Sequence, residues 1–291
     1  PNHLLKSDLW QILGKSVGQR RKHLAGRLLI TDSKKAYSRS LGIRHLERTV
    51  MGVLKYLGKE PTTLTELIEL LCPDCLGRLS AYPWYKDAGS RLISTDSTDN
   101  AITSAVLADG MVSNGIELLE VKSSCFDVAH YNKMVSSVKN KASVLFTATS
   151  QLIKHAFDNF GSGDLQIIVD RQGGRVHYRK QLQRMFGNVE LKILREDPKD
   201  SSYELRDNGK CMRLHFVVGA DRHFMPVSLA SMISKYLREL LIESINNYFT
   251  DFHAELKPTA GYWKDGLRFI EDIKVNIPHV EFDNNQLIRC R

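Results

Sequence analysis

The sequence predicts an α/β domain with a mixed central sheet flanked by helices. Two apolar runs of strand length, DLQIIVD at 164–170 and KCMRLHFVVGAD at 210–221, each end in an aspartate. Apolar residues at helical spacing fill the segment that follows the second run, where Val227, Leu229, Ala230, Met232, Ile233, Tyr236, Leu237, Leu240 and Leu241 supply a wide stripe for burial. Strand-like and helix-like segments mix without strict alternation, which fits a mixed sheet.

From the N-terminus, Ser7 and Asp8 are caps for a short amphipathic helix through Leu9, Trp10, Ile12 and Leu13, ending near Gly18 in the basic patch QRRKH. Leu28 to Ile30 form a brief apolar run, and Asp32 and Ser33 then cap a helix predicted to reach about Tyr56. Residues 58–95, with Pro61, CPDC, Pro83 and Trp84, read as an insertion holding one short helix near 64–71. A helix over 98–113 precedes IELLEVKSS, a predicted strand, and a long helix from Cys125 to Asn159. The 164–170 run is a strand of the buried kind, bounded by GSG and RQGG. A helix from about Val176 to Phe186 follows. VELKILRED, SSYELRD and KCMRLHFVVGAD are three strands broken by DPKD and DNG, the first and third expected as antiparallel neighbours. The loop KPTAGYWK leads into a last helix, DGLRFIEDIKVNI.

The chain has 291 residues, 42% of them hydrophobic and 25% charged, an ordinary globular composition without repeats or low-complexity tracts. Lysine and arginine exceed aspartate and glutamate by 8, the balance of a protein that meets phosphates. Five cysteines, an odd number scattered over the chain, point to a reducing compartment rather than a disulfide framework. No run approaches the roughly 20 apolar residues of a membrane span and no signal peptide opens the chain, so a soluble cytoplasmic protein without a membrane partner is expected. The first residue is Pro1, which suggests numbering that starts inside a longer chain.

Asp170 and Asp221 each end a strand. Carboxylates at the ends of neighbouring strands converge at a sheet edge, and such clusters are what hard divalent cations require. Each acid by itself also reads as a helix cap or turn residue, a common role for aspartate. Lys34 and Lys35 read either as phosphate contacts or as a solvated helix start, and His223 either as a site neighbour or as a polar loop residue. CPDC supplies two thiols, but a structural zinc site needs four ligands and no second CxxC or paired histidine follows, so its cysteines read as structural.

The spacing from Asp221 of ten residues to Ser231, fourteen to Lys235 and seventeen to Arg238, filled by VSLASMISKYLREL, resembles the stretch of type 2 ribonucleases H (ribonuclease HII and HIII) that runs from their fourth active-site acid through AAASIxAKVxRD. Other segments fall in that family's order. TDSKKAYS at 31–38 looks like its DSKKL motif, FDVAHYNKMV at 126–135 is similar to a segment with an acid and an asparagine ahead of a long helix, IIVDRQGGR resembles the strand ending in the third acid, and KPTAGYWKDG resembles the HKGYGTKEH loop.

The resemblance implies a ribonuclease H-like fold in one domain over 1–291, with an insertion around 58–95, extra strands around 190–215 and the family's first strands lying ahead of Pro1. It implies a metal-dependent endonuclease that hydrolyses the RNA strand of RNA/DNA hybrids or cuts at ribonucleotides embedded in duplex DNA, acting as a monomer. Asp170 and Asp221 would be two of four carboxylates holding two ions of Mg2+ or Mn2+. Asp32, Ser33, Lys34, Lys35 and Arg171 would contact the substrate backbone, and Tyr262 would stack on the sugar at an RNA–DNA junction. Two departures stand out. The distance from Asp170 to Asp221 is longer than in the family, and nothing between Pro1 and Thr31 matches the DEAGRG-like motif that carries its first two acids. A catalytically degenerate nucleic-acid-binding protein of the same fold is the alternative.

Overall fold

The computed structural model describes residues 7–37, 42–93, 96–187 and 189–290. Its N-terminal part is built on helices. Helix α1 (Leu9–Ile12) is capped by Asp8, whose carboxylate accepts from Trp10 N at 2.9 Å, and it stops after one turn instead of running to Gly18. Strands β1 (Val17–Gly18) and β2 (Leu28–Leu29) then form a short parallel pair. The helix expected from Asp32 to Tyr56 is divided. Helix α2 (Ser33–Ala36) is capped by Asp32 and ends where Tyr37 turns to extended backbone, and α3 (Arg44–Tyr56) starts anew after residues 38–41, which lie outside the described ones.

The presumed insertion is part of the core. Helices α4 (Leu64–Leu71) and α5 (Leu76–Leu79) bury Leu64, Leu67, Ile68, Leu71 and Leu79 in the cluster that α3 lines, and Trp84 packs 5.9 Å from Phe249. Thr63 and Glu66 start α4 with a reciprocal capping box, as this spacing favours. Helix α6 (Ser97–Ser113) packs on α3. Residues 116–124 are not a strand. They cross helical surface that offers no backbone ladder, with Ile116, Leu118 and Val121 packed on the helical core and Ser123 N bonded to Leu71 O at 2.6 Å.

The long helix predicted over 125–159 is two helices, α7 (Val128–Val138) and α8 (Lys141–Phe160). Lys139 adopts the left-handed conformation at φ 52°, and Asn140 caps α8 by accepting from Ser143 N at 3.0 Å. The main sheet contains β3 (Asp164–Asp170), β4 (Glu190–Glu196), β5 (Asp200–Asp207) and β6 (Lys210–Val217), with α9 (Arg179–Phe186) between β3 and β4. The order is β3-β6-β5-β4, β3 running parallel to β6 and the other pairs antiparallel. Strands β4 and β6 are therefore not neighbours, because β5 lies between them. Asn208 and Gly209 both have positive φ, 44° and 80°, and close β5 to β6 through the two-residue turn that NG favours.

One face of the sheet buries Tyr203, Leu205, Met212, Leu214 and Phe216, with Tyr178 stacked on Phe216 at 3.6 Å. Strand β3 is an edge strand among the described residues and only half buried, where its run of apolar residues predicts full burial. Helix α10 (Met225–Thr250) is the longest element and joins two cores. Met232, Ile233, Tyr236, Leu237 and Leu240 enter the helical core; Ile245 and Phe249 enter an aromatic cluster shared with α11 (Trp263–Asn276). Near the C-terminus α12 (Asn284–Leu287) is pinned by Asn132, whose amide donates to Asn285 Oδ1 at 3.0 Å and Ile288 O at 2.9 Å. No helix among the described residues is long and apolar enough to cross a membrane.

Candidate functional site

Because β3 and β6 run parallel, they end at the same edge of the sheet, with Asp170 opposite Val217. Beyond β6 the chain turns at Gly219, φ 64°, into the single 3-10 turn 220–222, and this turn presents Asp221 immediately before α10. The Asp170 carboxylate accepts a hydrogen bond of 2.9 Å from the backbone N–H of Ala220, the neighbour of Asp221. The two aspartates line one cavity of about 590 Å3. Its floor is β3 from Gln166 to Asp170, and α10 supplies a wall with Val227, Ala230 and Ser231. Val227 and Ala230, placed on the buried stripe by periodicity, thus face the cavity, since among the described residues no further strand lies beyond β3.

The DSKK segment meets the same helix. Ser231 donates a 2.9 Å hydrogen bond to Ser33, which is buried, and Met232 Sδ accepts from Thr31 N at 3.4 Å. Asp32 is spent as a cap, accepting from Lys34 N at 2.8 Å, while Lys34 and Lys35 are exposed. The basic patch contributes here too: Arg21 donates to Lys35 O and, at 2.6 Å, to Tyr37 O, satisfying carbonyls that the one-turn α2 leaves open.

One and two turns further along α10, Lys235 lies 4.8 Å from the centre of the Tyr37 ring and Arg238 lies 4.9 Å from that of Tyr262. Glu239 pairs with both cations, at 2.9 Å and 2.8 Å. Tyr262 is 62% exposed at the end of the 257–262 loop, just before α11. That loop is fastened by Asp265, which accepts from Thr259 Oγ1 at 2.8 Å and Ala260 N at 2.6 Å and pairs with Arg268 at 2.9 Å. Burial raises the Asp265 carboxyl, but these donors and the Arg268 charge hold it below the usual range.

Along α10 the structure therefore gathers Asp221, Ser33, Lys235, Arg238 and Tyr262, with Asp170 beside the first. On the sequence alone Lys235 and Arg238 share one helical face, for which a surface salt bridge to Glu239 or Glu243 is the plainer account and no chemistry is assigned. The pairing with Glu239 is present; the two tyrosines are the addition, and the signal that could have found them is the shared helical face at i, i+4 and i+7.

Other residues are employed elsewhere. The Arg171 guanidinium donates to Pro198 O at 2.6 Å, Asp197 O at 2.8 Å and Ser201 Oγ at 3.0 Å, tying the turn between β4 and β5 to the end of β3. Asp127 is buried, pairs with Arg78 at 2.7 Å and caps α7 through His130 N at 2.9 Å. His223 is exposed at the end of the 3-10 turn. Cys125 packs against the helical core that holds Cys72 and Cys75.

Among the described residues no group of three or more histidine, cysteine, aspartate or glutamate side chains is arranged to hold a metal ion. Two carboxylates on one cavity suit Mg2+ only in the manner of sites that complete the cation's shell with water and substrate phosphate oxygens. Comparisons with family models, with curated proteins and with solved structures found no match to the chain.

Proposed function

We propose that the chain is a ribonuclease H type 2-like endoribonuclease of ribonuclease H-like fold. In this proposal it acts with Mg2+ or Mn2+ on the RNA strand of RNA/DNA hybrids or at ribonucleotides embedded in duplex DNA. The observation that carries this reading is the meeting of Asp170 and Asp221 at one cavity, from whose rim the DSKK turn, two cations and Tyr262 follow a single helix.

Bound divalent ions would supply Lewis acidity at the scissile phosphate and an activated water. The residues of the chain do the rest. Asp170, which accepts from the Ala220 N–H, and Asp221 bring negative charge to the cavity and would hold the cations there. Lys34 and Lys35, exposed on α2, neutralise backbone phosphates. Tyr262, with Arg238 across its inner face, offers the ring on which a sugar carrying a 2′-hydroxyl can stack. In the same proposal the protein works as a cytoplasmic monomer.

The test is cleavage of a labelled RNA/DNA hybrid and of a duplex with one ribonucleotide, in Mg2+ or Mn2+, by the chain beside Asp170→Asn and Asp221→Asn. Cutting by the parent and not by either variant is the expected result. Salt-sensitive hybrid binding with no cutting in either metal would replace the enzyme by the degenerate binding protein. No binding at all would leave both aspartates as turn residues.

A further inference from the structure

Lysine and arginine are spread unevenly along the chain. Of 41 such residues and 33 aspartates and glutamates in all, nine and one fall between Asp8 and Glu47, so this stretch alone carries the net charge of +8. Its single acid is Asp32, engaged as the cap of α2. Arg20, Arg21, Lys22, Lys34, Lys35 and Arg44 are all exposed, and among the described residues no carboxylate pairs with any of them. The fold draws these charges together. The 19–27 loop joins β1 to β2 and is closed at its base by Arg27, which donates to Gly14 O and Leu24 O, each at 3.0 Å. From the same loop Arg21 reaches α2, donating to Lys35 O and Tyr37 O, each at 2.6 Å. Carbonyls hold that side chain without cancelling its charge, and neither Arg20 nor Lys22 bonds another described residue. Burial first, and then the charges of Arg21, Arg48 and Arg44, lower the His45 imidazole, as expected of a group beside a cationic surface. Tyr37 ties this surface to the α10 stripe, since Arg21 holds its carbonyl while Lys235 lies 4.8 Å from its ring centre.

We propose that the 19–23 loop and α2 together form a track for the backbone of duplex nucleic acid, continuing from the α10 stripe. Arg20, Lys22 and Arg44 join Lys34 and Lys35 in neutralising phosphates, and Arg21 is the positioning residue that fixes the loop beside α2. The track rests on the nucleic-acid reading of the α10 stripe and adds to it a length of duplex lying away from the cavity.

Clustered cations without acidic partners are the electrostatic footprint of a protein that meets phosphates. Contacts of this kind carry no sequence information, so the track sets affinity, orientation and salt dependence and leaves the choice of bond to the cavity. A lipid surface fits less well. Among the described residues from 13 to 47 no large apolar side chain is exposed, and binding at a membrane interface depends on burying such side chains.

The experiment measures binding of the full chain, without divalent ions, to a fluorescein-labelled RNA/DNA hybrid of about 20 base pairs, two helical turns, and to a DNA duplex of the same sequence. Anisotropy is read over a salt series. Arg20→Ala combined with Lys22→Ala should lower the slope of log affinity against log salt by about 2 on both duplexes. Lys180→Ala combined with Arg184→Ala, a pair of exposed cations on α9, should leave it unchanged. Circular dichroism checks folding, and Arg20→Gln with Lys22→Gln removes the same charges if the alanines disturb the loop. An unchanged slope in the loop variants, an equal fall in the α9 variant, or no binding of either duplex by the parent would each overturn the track. So would loop-dependent binding to phosphatidylserine vesicles with none to the duplexes. Cutting, assayed separately in Mg2+ or Mn2+, tells the two proposals apart. A parent that binds through the loop and cuts nothing keeps the track and loses the nuclease; one that cuts while the loop variants bind unchanged keeps the nuclease and loses the track.

Discussion

Ser231 on α10 donates a 2.9 Å hydrogen bond to Ser33, 198 positions earlier, so the turn that opens DSKK is anchored on the helix that Asp221 leads. Ser33 is buried and Ser231 only partly so. Ser231→Ala should leave the Ser33 hydroxyl without that donor and lower unfolding free energy by about 1 kcal/mol, measured by urea denaturation. The same variant should weaken hybrid binding, because α2 loses its register on α10.

Glu239 draws Lys235 and Arg238 toward itself and away from any phosphate. Glu239→Gln should therefore tighten hybrid binding and steepen its salt dependence, while the unpaired cations lower the melting temperature. Lys235→Ala should weaken binding and reduce the salt slope by about 1. Fluorescence anisotropy over a salt series reads both. Unchanged affinity in both variants would remove this stretch of α10 from the interface.

Gly261 holds φ at 70°, and a Cβ there would come within 2.6 Å of Ile242 Cδ1 and 3.1 Å of the Arg238 guanidinium. Gly261→Ala should cost about 1–2 kcal/mol from the left-handed backbone alone, with the clash added to it. Since Tyr262 is the next residue, the melting temperature and the preference for a ribonucleotide-containing duplex should fall together.

Asp127 carries the acid sensitivity of the α5–α7 contact. Burial raises its carboxyl, but hydrogen bonds from the Tyr82 hydroxyl, His130 N–H and Arg78, with the Arg78 charge, more than offset that, and the group sits below its usual range. The unfolded chain then binds more protons than the folded one in this window. The contribution to stability is complete above roughly pH 4, the ordinary carboxylate value, and is lost as pH falls through the lower folded value. Denaturation between pH 6 and 3 should show a steeper loss for the unaltered protein than for Asp127→Asn, which starts less stable and changes less.

Much of the site's primary placement is legible in the sequence, because strand ends and helix caps are local signals. The aspartates at the ends of β3 and at the start of α10, the Asn208–Gly209 turn and the Asp32 cap are all where the residue types put them. What escaped depends on distant partners. Residues 116–124 have strand composition but meet helices, so no ladder forms. Asn140 was readable as a cap, yet the break it marks needs Lys139 to enter the left-handed region, a cost that the packing of α7 and α8 against different neighbours imposes. The aromatic partners of Lys235 and Arg238 come from 37 and 262, and the third thiol beside CPDC comes from 125; no window of sequence contains both members of any of these contacts.

The outer side of β3 has a further consequence, for handling rather than chemistry. Its core, Leu165 to Val169, has no proline and no charge, and among the described residues only Asp164 and Asp170 guard its ends. Such an edge is a template for intermolecular strand pairing, and like charges at its ends are what discourage that growth. Asp170→Asn takes away one guard. A loss of cutting in that variant is therefore interpretable only when light scattering shows that the sample has remained free of oligomers.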